Sequence, residues 1–152
     1  MAIDLHTHYL PEPVADMMRA RTSAPFISAG DDGETFHMPN GTLAINAAYH
    51  DMDARLEFMD GIGVRAQMLS LAGLFGADSL PAEEALPFCR AFNDHVSELA
   101  GRNKSRFAGL ASLPFADMDA AVAEYERGRN ELGLIGAILP NNFFLTLDWA
   151  EK

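Results

Sequence analysis

The sequence predicts an α/β fold, a parallel sheet whose strands are joined by helical crossovers. Three observations predict it. Short apolar runs alternate with amphipathic stretches along most of the 152 residues. The runs are mostly continuous, as strands buried on both faces are. Glycine, proline or a capping aspartate stands at most boundaries. Strands separated by helices pair in parallel through right-handed crossovers.

The elements follow in order. Ala2 to Leu5 is a short apolar run that ends at His6-Thr7-His8. Pro11 and Pro13 open a short helix with Val14, Met17 and Met18 on one face. Residues 22–46 break the pattern, being rich in Gly, Asp, Ser and Pro. Within them Thr35-Phe36-His37-Met38 and Thr42-Leu43-Ala44-Ile45 flank Pro39-Asn40-Gly41, a hairpin signal. The stretch of about 22–48 reads as an insertion lying over one end of the domain.

Regular alternation then resumes. Asp51 can cap a helix carrying Met52, Leu56 and Met59, and Gly61 and Gly63 suit its left-handed end. Val64 to Leu71 is a strand. A long helix opens near Pro81 with Ala85, Cys89, Phe92, Val96 and Leu99 on one stripe, and ends at Gly101. Pro87 is expected to kink its first turns or shift its start. Phe107 to Leu113 is the next strand. Asp117 can cap a helix bearing Met118, Ala121, Val122, Tyr125 and Leu132, closed by Gly133. Ile135 to Leu139 is the last strand, and Trp149 to Lys152 looks like the start of another helix. Two architectures fit this order: an open doubly wound sheet, or part of a β/α barrel, whose complete form has eight units in about 250 residues. Periodicity does not separate them.

Composition removes several function classes. Acids outnumber bases 22 to 11, and the resulting charge of −11 repels nucleic acid and anionic lipid. No apolar run approaches the 18 or so residues of a membrane span. The N-terminus lacks the basic region of a signal peptide. Cys89 is the single cysteine, so no internal disulfide forms, and a reducing cytoplasm is the expected compartment.

The chemistry concentrates in His6 and His8. Residues i and i+2 of a strand point to one side, so both imidazoles face the same space, near enough to share one ion. Neutral imidazole is a good ligand for zinc and its neighbours. In a β/α barrel the carboxyl ends of the strands form the active-site floor. A bare His-x-His is a weak signal. This pair gains weight from its apolar strand, from Asp4 before it and from the β/α series after it.

Ile3-Asp4-Leu5-His6-Thr7-His8-Tyr9-Leu10-Pro11 resembles the opening of the amidohydrolase-related family, typified by α-amino-β-carboxymuconate-ε-semialdehyde decarboxylase. The likeness continues through Asp53 to Val64, Phe92-Asn93-Asp94, Arg106 to Pro114 and Leu132 to Ala137, and is weakest over residues 20–48. It implies a divalent metal centre, zinc by expectation, on His6 and His8. It implies a partial TIM-type (β/α) barrel: about the first four β/α units, with a hairpin insertion after the first strand. Residues 1–152 would be the N-terminal half, with the C-terminal half absent. The family adds a histidine after the fifth strand, a catalytic histidine after the sixth and an aspartate after the eighth, so no catalytic residue of that set falls within this chain. The activity implied is that of a metal-dependent hydrolase or non-oxidative decarboxylase of a small organic acid, amide, ester or lactone, or a hydratase. The isolated chain is expected to be inactive.

The remaining residues support that shortfall. The other strand ends offer Ser70-Leu71, Leu113-Pro114-Phe115 and Pro140-Asn141-Asn142, none a good zinc ligand. His37, His50 and His95 read as surface or capping histidines, with His37 or His50 entering the pocket only if the insertion folds over it. Relatives that decarboxylate acidic substrates carry an arginine before the first main helix, where this chain has Asn46, Ala47 and Ala48. That departure disfavours a dicarboxylate substrate; Asn46 at that place and Asn141, just past the fourth strand, are the candidate substrate contacts, with Phe75, Phe143 and Phe144 as candidate lining. Arg55 reads as a surface partner of Glu57 or Asp51, and Asp4 either orients the motif or helps to end its strand.

A half barrel leaves its first and fourth strands as open edges, which invite pairing. The missing half then belongs to a longer polypeptide or to another chain, or two copies close the barrel. A homo-oligomer is the expected form. The rival reading is a non-catalytic α/β module that acts in an assembly or as a binding domain. Gly73-Leu74-Phe75-Gly76 lacks the spacing of a phosphate loop. Ser70 and Ser112 lack a nucleophile elbow, and Cys89 lies on a core stripe.

Overall fold

The computed structural model describes residues 2–31, 33–39, 41–45, 49–71, 73–77 and 80–139. Two sheets form. The larger is parallel and contains β1 (Ala2–His8), β5 (Val64–Ser70), β6 (Phe107–Ala111) and β7 (Gly136–Ala137), in the order β1-β5-β6-β7. The smaller is antiparallel and contains β2 (Phe26–Gly30), β3 (Gly33–Met38) and β4 (Gly41–Ile45). Four helices complete the fold: α1 (Glu12–Arg19), α2 (Met52–Gly61), α3 (Ala82–Arg102) and α4 (Met118–Asn130). The larger sheet curls into a parallel half barrel of four strands, with the β2–β4 sheet inserted between α1 and α2.

Local chemistry sets most boundaries. The Asp51 carboxylate accepts from the backbone N–H groups of Asp53 and Ala54 at 3.0 Å, and Asp117 does the same for Ala120. Gly63 and Gly133 hold φ of +72° and +68° just beyond α2 and α4, where a Cβ would be strained. Pro81 precedes α3, and the helix runs straight through Pro87 to Arg102, one residue past the expected stop at Gly101. Its stripe is buried as expected, with Ala85, Cys89, Phe92 and Val96 in the core.

β1 runs through both histidines, as expected, because its ladder with β5 continues to His8 and Ser70. Three expectations need correction. A third antiparallel strand, β2, joins the expected hairpin along Phe26 to Gly30. β7 is only two residues long, not five. And α4 buries Ala121, Glu124 and Gly128, while Met118 and Val122 are half exposed. Gly128 lets α4 approach closely, its α-carbon facing Leu134 and Ala111.

The parallel sheet has two unequal faces. The helix side carries Gln67, Leu69, Phe107 and Ala111, all buried. On β1, Ile3 and Leu5 are 62% and 65% exposed. In a closed barrel the inward face is a packed core. The antiparallel sheet is tied to the rest by the Phe36–Phe75 ring contact, by the Arg19–Glu34 ion pair and by Gly76, whose missing side chain makes room for Pro39.

Candidate metal centre

The two predicted ligands come together. The His6 and His8 rings lie with centroids 4.8 Å apart at an interplanar angle of 61°. His6 is exposed and His8 half-buried, at the carboxyl end of β1. Among the described residues, no hydrogen bond reaches a ring nitrogen of either. Burial, with the neighbouring His6 charge, holds the His8 imidazole below its usual pKa. Both effects favour the neutral imidazole, the form that donates to a metal.

The strand around the pair is irregular. Asp4 aligns with Gln67 but Thr7 with Leu69, so β1 carries one more residue than β5 over this interval. The bulge puts Asp4 and Thr7 on speaking terms: Thr7 Oγ1 donates to Asp4 Oδ2 at 2.6 Å. Gln67 Nε2 donates to the same oxygen at 3.2 Å, and the His6 N–H donates to Asp4 Oδ1 at 3.1 Å. The Thr7 hydrogen bond foremost holds the Asp4 carboxyl below its usual range, against the opposing effect of burial. Asp4 thus bonds within the motif, and the strand continues past it to His8.

Arg55 departs from expectation. Its Nη1 donates to Gln67 Oε1 and its Nη2 to the His8 carbonyl, both at 3.2 Å, and its guanidinium sits 5.4 Å from the Tyr9 ring centre. Neither Glu57 nor Asp51 is its partner. Glu57 is two residues away and on another face of α2, while the Asp51 carboxylate is spent on the helix cap. Tyr9 in turn shares a 3.0 Å hydrogen bond with His95 Nε2. Burial pushes the Tyr9 hydroxyl up to about 12.

The other candidates are engaged elsewhere. His37 stacks on Phe26 at 4.1 Å and bonds Ser28 Oγ at 2.8 Å. His50 Nδ1 lies 2.8 Å from the Leu10 carbonyl and 3.4 Å from Glu12. Ser70 Oγ donates to the Thr7 carbonyl, and the Ser112 backbone is gripped on both sides by Asn93. Asn46, Asn141, Phe143 and Phe144 lie outside the described residues. Among the described residues no three His, Cys, Asp or Glu side chains converge as a metal set. A groove lined by Asp60, Gly63, Val64, Arg65 and Arg106 lies at the opposite, amino-terminal end of the strands, away from the imidazoles.

Two neighbouring imidazoles at one strand end fit a borderline divalent ion such as zinc. They make up part of the usual three-ligand protein set. Sequence reasoning missed Gln67 and misplaced Arg55. A polar Gln67 at the centre of β5, between Ala66 and Met68, was the available signal.

A curled parallel sheet with paired imidazoles at the carboxyl end of its first strand defines a β/α-barrel protein of the amidohydrolase type. The amidohydrolase family model matches residues 3–145, and the chain belongs to that family. It is 29% identical over 153 residues to 2-amino-3-carboxymuconate-6-semialdehyde decarboxylase of Dictyostelium discoideum, covering 93% of this chain and 41% of that protein. It is 36% identical over 94 residues to gamma-resorcylate decarboxylase of Rhizobium radiobacter, covering 57% and 27%. The crystal structure of a dihydroxybenzoic acid decarboxylase from Polaromonas, with bound manganese and 2-nitroresorcinol, superposes with a TM-score of 0.64 at 27% identity. That match covers 89% of this chain and 36% of the other. The chain spans less than half the length of the relatives it matches.

Proposed function

We propose that this chain contributes the first half of the active site of a metal-dependent carboxy-lyase, with a hydrolase of small amides, esters or lactones as the other member of the same class. The observation that carries this is the His6–His8 pair, two imidazoles 4.8 Å apart at a strand's carboxyl end. The decarboxylase names of the relatives favour the carboxy-lyase. The substrate would be a small organic acid.

In this reading His6 and His8 hold one divalent cation, zinc or manganese. The ion would supply Lewis-acid polarisation of a bound oxygen. His8, kept neutral by burial, donates its lone pair without first losing a proton. Asp4 holds the His6 backbone, which sets where that ring points. Asn46 and Asn141 are proposed substrate contacts on their sequence positions alone. The insertion over about 22–48 is proposed to lie across the carboxyl end of the barrel. The remaining ligands would come from further residues of a longer chain or from a partner chain, and this chain alone is proposed to be inactive. Cytoplasmic placement is part of the same proposal; among the described residues no helix is long and apolar enough to cross a membrane.

A second reading keeps the half barrel as a non-catalytic module that works in an assembly, including a homo-oligomer. The exposed Ile3 and Leu5 on β1 and Ile135 and Leu139 about β7 favour some covering partner. One experiment separates the two. In the complete protein, metal content is measured for the wild type, His6→Ala and His8→Ala, alongside carbon dioxide release from a panel of hydroxybenzoates. Loss of metal and of release in both variants supports the enzyme. Unchanged metal in both ends the ligand assignment.

A further inference from the structure

We propose that Arg55 is a positioning residue for both histidines, fixing the His8 main chain directly and the His6 main chain through Gln67 and Asp4. The inference rests on the reading of His6 and His8 as metal ligands.

The argument begins at the bulge. Regular pairing would hold every second backbone amide of β1 against β5, but the ladder loses register between Asp4 and Thr7, and His6 lies inside that interval. The sheet alone does not fix His6 there. Its N–H is taken by Asp4 Oδ1 instead. Asp4 is steadied by Thr7 and by Gln67 Nε2, and the other end of the Gln67 amide accepts from Arg55 Nη1. The second terminal nitrogen of Arg55 reaches the His8 carbonyl. One planar guanidinium therefore spans both ends of the motif, and its fork geometry sets their separation.

The placement is costly for a purely structural arginine. Burying a cation is unfavourable unless strong partners compensate. Arg55 is half-buried, yet its terminal nitrogens are spent on an amide oxygen and a backbone carbonyl rather than on a carboxylate. Both of those oxygens lead to a histidine. The guanidinium carbon lies over the Tyr9 ring, and Tyr9 is itself anchored by His95 on α3. The relay thus connects α2, α3 and β5 to the main chain of both histidines on β1.

The test uses Co2+ as probe in the complete, metal-stripped protein. The dissociation constant is read by chelator competition, and geometry by the visible d–d absorption. The variants are Arg55→Met, Arg55→Lys, Gln67→Met and the double variant His6→Ala/His8→Ala. Thermal melts of the metal-free proteins run in parallel. Arg55→Met and Gln67→Met are expected to weaken Co2+ binding by about 10- to 100-fold and to alter the absorption band. Arg55→Lys should recover part of the affinity, since an ammonium can reach the His8 carbonyl but not grip both partners. A folded Arg55→Met with wild-type affinity and spectrum overturns the proposal, as does a lower melting temperature with no change in Co2+ binding. Should Arg55→Met not fold, Gln67→Met decides, because it cuts the link to Asp4 and leaves the bond to His8; wild-type affinity there overturns it too. If the double variant binds Co2+ normally, the ligand reading itself fails and takes the proposal with it. If only the double variant loses Co2+, the ligands stand and the positioning role falls.

Discussion

Asn93 Nδ2 lies 2.8 Å from Glu124 Oε1 in a contact where both side chains are wholly buried. The same Asn93 nitrogen donates to the Ser112 carbonyl at 3.0 Å, and its oxygen accepts from the Ser112 N–H at 2.8 Å. Arg127 completes the cluster, donating to both Glu124 oxygens at 2.9 and 2.7 Å. One amide thereby ties α3 and α4 to the carboxyl end of β6. Asn93→Leu keeps the volume but orphans the Ser112 backbone groups and one bond of a buried carboxylate. Stability is expected to fall by about 3 kcal/mol, read as a lower urea midpoint with unchanged slope. A midpoint equal to wild type would show that water replaces the amide without loss.

Glu124 also makes stability depend on pH. Burial pushes its carboxyl up, but hydrogen bonds from Arg127, Asn93 and Arg90 outweigh that and leave it below the ordinary value of 4.5. A carboxylate whose folded pKa is depressed contributes stability that is present above the unfolded pKa and is lost as pH falls through the folded one. Urea midpoints should therefore hold near neutrality and drop below about pH 4.5. Glu124→Gln should be less stable at neutral pH and show a shallower acid loss. A variant with the wild-type acid profile contradicts this assignment.

Gly109 is predicted to be intolerant of a single added carbon. A Cβ there would lie 2.3 Å from Val96 Cγ1 and 2.7 Å from Leu134 Cδ2. These atoms belong to buried side chains packed over the same face of β6, so both would have to shift. Gly109→Ala is expected to cost about 1–3 kcal/mol by thermal or urea unfolding. Adding Val96→Ala should recover part of that loss, and failure to do so would place the clash elsewhere.

Tyr9 carries the opposite pH signature. Burial raises its hydroxyl to about 12 from an ordinary 10.0. For an acid whose folded pKa is raised, the contribution is complete below the unfolded value and is lost as pH climbs through the folded one. Alkaline destabilisation is expected between about 10 and about 12. Tyr9→Phe should blunt that loss while costing about 1 kcal/mol at neutral pH through the missing bond to His95. Chemical unfolding of both proteins across that range supplies the comparison.

The sequence by itself determined the order of strands and helices, the caps at Asp51 and Asp117, the hairpin strands on either side of Pro39 to Gly41, and the common side of His6 and His8. Each of these depends on neighbours within a few residues, where period and turn chemistry act directly. β2 escaped notice because Pro25, small residues and Gly30 hide a strand that exists only by pairing with β3. Tertiary structure alone decided which face of α4 is buried. Glu124 turns inward because Asn93, 31 positions away in the chain, meets it there, and Met118 and Val122 are left outside. It alone decided that Arg55 leaves its acidic sequence neighbours for the His8 carbonyl and Gln67. A polar side chain takes the partner that best offsets its desolvation, and that partner is fixed by packing of distant segments, which no local pattern encodes.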